Sequence, residues 1–198
     1  MKKTNKIIFA AVALVLIILA AVGIYFINNK NQQKSPAEVV LPIDNLKLND
    51  EYVYDGIKWG TALKEVEKNL PFMIEKLDLM GTTAPAETKL VDYRTETKLV
   101  LDGQSTYSAT FKFQDDKFVM ASFFFSITEN YEEWYNVQIE KLIDLYGEES
   151  QIAKNKSDSL DVTVYRWDTE MTSLQFTSMV KEDGSATVSL TVFYRYQG

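Results

Sequence analysis

The sequence predicts an α+β fold, in which an N-terminal transmembrane helix precedes two tandem repeats of a helix plus antiparallel strands, forming a helix-on-sheet domain. Three observations lead there. Ile7–Ile27 is uncharged and almost wholly apolar. Two later stretches place apolar residues at helical spacing. Each is followed by runs that alternate apolar and polar residues and end in turn-forming residues.

A helix over 7–27 is about 32 Å long, enough to cross a bilayer's hydrocarbon. Lys2, Lys3 and Lys6 precede it, and Lys30 and Lys34 follow. That imbalance places the N-terminus in the cytoplasm and the C-terminal part outside, so the expected localisation is a single-pass cell-membrane protein. A cleaved secretory signal is the rival reading, but apolar residues continue through Ile24–Ile27, past the usual h-region length. The expected organisation is a cytoplasmic tip (1–6), the span (7–27), a linker (28–51) and repeats over 52–127 and 128–198. Residues 28–38 are polar and spacer-like; residues 39–51 show no clear pattern.

In the first repeat a helix follows Gly60, with Thr61 as N-cap and Leu63, Val66 and Leu70 on one face. Pro71 ends it. Residues 72–87 read as irregular. Lys89–Tyr93 and Lys98–Leu101 are short strand signals, with Asp102-Gly103 as a turn. Tyr107, Ala109, Phe111 and Phe113 alternate with polar residues, which predicts a half-buried strand with these four inward. Phe118–Ile127 is its natural hairpin partner.

The second helix carries Tyr135, Ile139, Leu142, Ile143 and Tyr146 in one stripe, with Gly147 at its end. Glu148–Ser159 reads as loop. Strands follow over Asp161–Asp168, Ser173–Val180 and Ala186–Tyr196, the last two joined by a hairpin on Asp183-Gly184.

Composition limits the chemistry. The 198 residues include neither Cys nor His. That removes disulfides, thiol and imidazole catalysis, and His- or Cys-ligated metals. The net charge is −7. Only Lys2, Lys3 and Lys6 are charged before residue 28, so the remainder is 18 basic against 28 acidic, or −10. Nucleic acid is therefore not an expected partner.

The segment Gly56-Ile57-Lys58-Trp59-Gly60-Thr61-Ala62-Leu63-Lys64-Glu65-Val66, with the element order, resembles the superfamily that contains the β-lactamase inhibitor protein and the small lipoprotein of the outer-membrane β-barrel assembly machinery. The aromatic-Gly pair Trp59-Gly60, the short helix after it and Val66 carry the likeness. The resemblance implies helices on one face of an antiparallel sheet, and a partner protein bound by the opposite face or the loops.

No catalytic residue, cofactor site or metal site emerges. Asp115-Asp116 reads as a hairpin turn, and Glu132-Glu133 as charge suited to a helix N-terminus. Glu148-Glu149 shows no glycosidase spacing. Asp158, Ser159 and Asp161 lack calcium-loop spacing. The candidate contacts are aromatic. In the 161–168 strand Val162 and Val164 share one face, and Thr163, Tyr165 and Trp167 the other. Burial of both rings is the simpler reading. If the valines face the helix instead, Tyr165 and Trp167 stand on the open sheet face as interface anchors, with Lys112, Arg166 and Arg195 as polar contacts. The expected function is a non-enzymatic, membrane-anchored extracytoplasmic binding protein of a bacterial envelope, taking a protein or an envelope polymer on a sheet face. The alternatives are a carboxylate-dependent cell-wall glycan hydrolase and a sensory ectodomain acting through a membrane partner.

Overall fold

The computed structural model describes residues 38–77, 90–157 and 159–195. The membrane-spanning helix expected over 7–27 lies outside them. Among the described residues no helix is long and apolar enough to cross a membrane. The expected single-pass membrane localisation is corrected on that ground.

The described chain is predominantly β, which corrects the expected balance of helices and strands. Twelve strands run in order: β1 (Val39–Val40), β2 (Lys47–Leu48), β3 (Glu51–Tyr52), β4 (Glu75–Lys76), β5 (Leu90–Arg94), β6 (Leu99–Leu101), β7 (Gln104–Gln114), β8 (Lys117–Ile127), β9 (Gln151–Lys156), β10 (Leu160–Asp168), β11 (Thr172–Lys181) and β12 (Ala186–Tyr194). Two α-helices interrupt them, α1 (Leu63–Asn69) and α2 (Tyr131–Tyr146), with a 3-10 turn at Ile43–Asn45. Ten strands form one sheet in the order β1-β6-β7-β8-β12-β11-β10-β9, with β5 on β7 and β4 on β5; β2 and β3 form a separate pair. The antiparallel pairing of β8 with β12, from Ala186↔Ile127 to Phe193↔Met120, merges the two expected repeats into one surface. Because α1 is only seven residues long, it cannot cover a half-sheet, and irregular N-terminal chain does much of that work.

One sheet face is filled. Phe111, Phe113, Phe118, Phe123, Phe125, Phe176, Leu174, Val188, Leu190 and Val192 are all buried there. Helix α2 covers this face with Tyr135, Ile139 and Leu142, each worth about 1.5–3 kcal/mol by burial of an apolar side chain. Trp134 packs on Phe125 and Phe176, and Tyr135 stacks on Phe176 with ring centroids 4.9 Å apart. Residues 38–51, read as part of a linker, belong to this cover: Leu41 and Leu46 are buried. Tyr54 follows them, packed against Phe111 and Phe123.

Local chemistry departs from expectation in two further places. Ala62, not Thr61, is the N-cap of α1, and no side chain caps the helix. The Thr61 hydroxyl donates instead to the Lys58 carbonyl at 2.7 Å. The segment pairs with the start of β8: Gly60 N–H donates to Phe118 O and Phe118 N–H to Thr61 O, both at 2.9 Å. In addition, part of the loop read over 148–159 is strand β9. It pairs with β10 from Asp161↔Lys156 to Arg166↔Gln151, yet all six of its residues are exposed. A strand wet on both sides needs no apolar alternation, so its sequence shows none.

Candidate functional site

Helices and the N-terminal segment cover one face of the sheet; among the described residues nothing covers the other. Its composition follows from strand register. One row crosses the sheet as Asp92, Lys112, Met120, Phe193, Ser173 and Asp168. The next runs Arg94, Thr110, Ser122, Thr191, Gln175, Arg166 and Gln151. The third runs Ser108, Phe124, Ser189, Thr177, Val164 and Ala153. The face is therefore rich in hydroxyls, with half-exposed apolar side chains set among them.

Charge sits at its two ends. Lys112 Nζ lies 3.5 Å from Asp92 Oδ1. At the far side Arg166 Nε donates to Asp168 Oδ1 at 2.7 Å and Arg166 Nη2 to Ser173 Oγ at 3.2 Å. The Ser173 hydroxyl also donates to Asp168. Arg195 Nη1 donates to Thr169 O at 3.0 Å and approaches Asp168 Oδ1 at 3.9 Å. Near the centre Thr191 Oγ1 donates to Ser122 Oγ at 3.2 Å. Lys112 and Arg166 thus lie on the uncovered face, and Arg195 joins the Asp168 cluster at its edge.

The two aromatics named from the sequence lie on the other side. Trp167 is 1% exposed. Its indole N–H donates to Gly147 O at 2.8 Å. Tyr165 is half-buried between Tyr135 and Trp167. Val162 and Val164 face outward, so the condition under which the rings would be open does not hold. Both faces of β10 are apolar, and the pattern alone does not decide parity. Volume decides it: the space beneath α2 takes the rings, and Gly147 satisfies the indole.

An aromatic that sequence reasoning placed inside is instead outside. Strand β7 shifts register against β8 between Thr106 and Ser108. A bulge of this kind turns a side chain out of the alternation. Tyr107 is 62% exposed as a result, with its ring centroid 6.2 Å from that of Phe124 on the uncovered face. Beside it Arg94, Thr95, Glu96, Thr97, Lys98 and Ser108 line a recess of about 400 Å³. Period-two counting cannot find Tyr107, because the count assumes an unbroken ladder.

The arrangement can hold a partner by hydrogen bonds and by an aromatic seat. Among the described residues no three acidic side chains converge to hold a metal ion. No family model, curated protein or solved structure matches the chain.

Proposed function

We propose that this domain is a non-catalytic binding module that takes a protein partner on the uncovered sheet face, with Tyr107 and Phe124 as anchors. The observation that carries this is Tyr107: a large ring, 62% exposed and paired with Phe124, on a face that the described chain leaves open. Burying an exposed aromatic is a strong source of interface energy. The surrounding serines and threonines would supply hydrogen bonds, and Lys112 and Arg166 would frame the contact. The likeness carried by Trp59-Gly60 and Val66 supports the same reading, since it implies protein binding.

Site-specific photo-crosslinking tests it. Benzoylphenylalanine replaces Tyr107 in one variant and the exposed helix residue Glu140 in another, in cells that produce the chain. The reading expects a discrete adduct at position 107 that is absent at 140. Equal labelling at both positions, or none at 107, would sink it.

A further inference from the structure

Strand β9 is the longest described strand with a single neighbour. The other two at the margins of the large sheet, β1 and β4, have two residues each. Strand β9 has six, all exposed. It buries no side chain, so it adds little to the core. What it adds is a sheet edge, a row of backbone groups able to pair with another strand.

Register decides which groups that row presents. Gln151, Ala153 and Asn155 oppose Arg166, Val164 and Val162 of β10. Across the turn the same series ends at Ser157, whose N–H donates to Leu160 O at 3.1 Å. These are therefore the hydrogen-bonded pairs, and the residues between them turn their backbone groups away from β10. Ile152, Lys154 and Lys156 thus direct their N–H and C=O groups out of the sheet, where no described strand meets them.

Side chains restrict what can be added. Ile152, Lys154 and Lys156 oppose Tyr165, Thr163 and Asp161, so all three stand on the helix side. Ile152 is 44% exposed beside the half-buried Tyr165, and offers an apolar contact. Lys156 pairs with Asp161 at 2.9 Å, whereas Lys154 makes no ion pair among the described residues. The strand carries two lysines and no acid, in a chain of net charge −7. Charge there favours an acidic strand. A second copy fits poorly. Every register that joins most of β9 to itself through the outward residues sets Lys154 opposite or diagonal to a lysine of the other copy, which destabilises the pairing. Edge lysines are a common guard against such self-association. We propose that β9 receives an extended segment of another protein as an added antiparallel strand, with an acidic side chain opposite Lys154 and an apolar one opposite Ile152. This does not depend on the Tyr107 reading.

Amide hydrogen exchange in the ¹⁵N-labelled intact chain tests it. Without peptide, the Ile152, Lys154 and Lys156 amides should exchange faster than those of Gln151, Ala153 and Asn155. Protection of the outward set that grows with protein concentration would place a second copy on the edge. Protection independent of concentration would place a segment of the same chain there. Either result overturns the proposal. The probe is the peptide acetyl-Thr-Glu-Thr-Glu-Thr-Val-Thr-amide, compared with one in which lysine replaces both glutamates. The acidic peptide should bind saturably and slow exchange at Ile152, Lys154 and Lys156, with little change at the residues between them. Lys154→Glu should weaken that binding about tenfold. Lys154→Pro removes an outward donor, leaves the β10 ladder whole and should weaken it too. No saturable binding, equal binding of both peptides, or undiminished binding by folded Lys154→Glu would overturn the proposal.

Discussion

Trp167 donates its indole N–H to the carbonyl of Gly147, 2.8 Å away, tying strand β10, next to the β9 edge of the sheet, to the residue at which helix α2 ends. Gly147 has φ +82° and ψ −176°, a conformation that suits glycine alone. Helix end, buried ring and strand β10 are thus held by one contact.

Truncation of this contact has a large expected cost. Trp167→Ala should lose about 3–5 kcal/mol, since a cavity opens where the ring is 1% exposed. Trp167→Phe keeps most of the volume but strands the Gly147 carbonyl, for about 1–2 kcal/mol. Urea denaturation followed by circular dichroism separates the two; an undiminished Trp167→Ala midpoint would place the ring outside the core.

Gly147→Ala should cost about 1–3 kcal/mol through backbone strain alone. Apart from the adjoining chain, no heavy atom lies within 4 Å of the position a Cβ would take, so tertiary crowding does not contribute. The same denaturation series reads it, and a neutral substitution would show that the α2 terminus relaxes.

The bulge in β7 makes opposite predictions for two residues four apart. Tyr107→Ser should change stability by no more than about 0.5 kcal/mol, as exposed positions do. Phe111, fully buried, should lose about 3–5 kcal/mol as Phe111→Ala. Equal costs at both sites would mean that β7 is unbroken.

This pair also shows how far the sequence could be read. The strands over 104–114 and 186–194 were legible because their hydrophobic alternation is strong, and those over 117–127, 160–168 and 172–181 because they are runs rich in aromatic and β-branched residues bounded by turn signals. Helix α2 was legible because Tyr135, Ile139 and Leu142 recur at helical spacing. Three features had no local signal. Strand β9 is wet on both sides, so nothing in Gln151–Lys156 alternates. The inward parity of Tyr165 and Trp167 depends on space beneath α2, a tertiary quantity. Tyr107 turns outward because of a register shift that needs the partner strand to be seen. The basic residues Lys112 and Arg166 were readable as surface groups, though not the pairs they make with Asp92 and Asp168.

Acid should reveal the role of Asp102. The hydrogen bond from Lys141, aided by that from Gln138 and opposed by partial burial, holds its carboxyl below the ordinary 3.8. A depressed folded pKa stabilises the fold above the unfolded value, and this is lost as pH falls through the folded one. Asp102→Asn should therefore be less stable than the parent chain at neutral pH, with the gap closing below pH 3.8. A gap that persists unchanged in acid would exclude charge as its source.

Base should act through buried tyrosines. Burial, followed by the neighbouring Tyr146 and Asp168, pushes Tyr52 from 10.0 up to about 12. Burial raises Tyr54 and Tyr135 further. A raised folded pKa stabilises below the unfolded value, and that stability fades as pH climbs through the folded one. Phenolate absorbance should rise in two stages, the later one coinciding with unfolding between pH 10.0 and about 12. A single transition at the ordinary tyrosine value, with the fold intact, would contradict the buried positions.

The pairing of β8 with β12 also sets a timetable. Strand β12 is last in order among the described strands, yet it sits at the centre of the sheet, between β8 and β11. Its contacts join residues 120–127 to residues 186–193. Such distant pairings slow folding, because a long loop must close before the contact forms. During synthesis β8 must therefore wait, its inner edge unpaired, until residue 193 has left the ribosome. A nascent chain stalled before β12 would carry an open, phenylalanine-rich strand edge, the kind of surface that chaperones exist to shield.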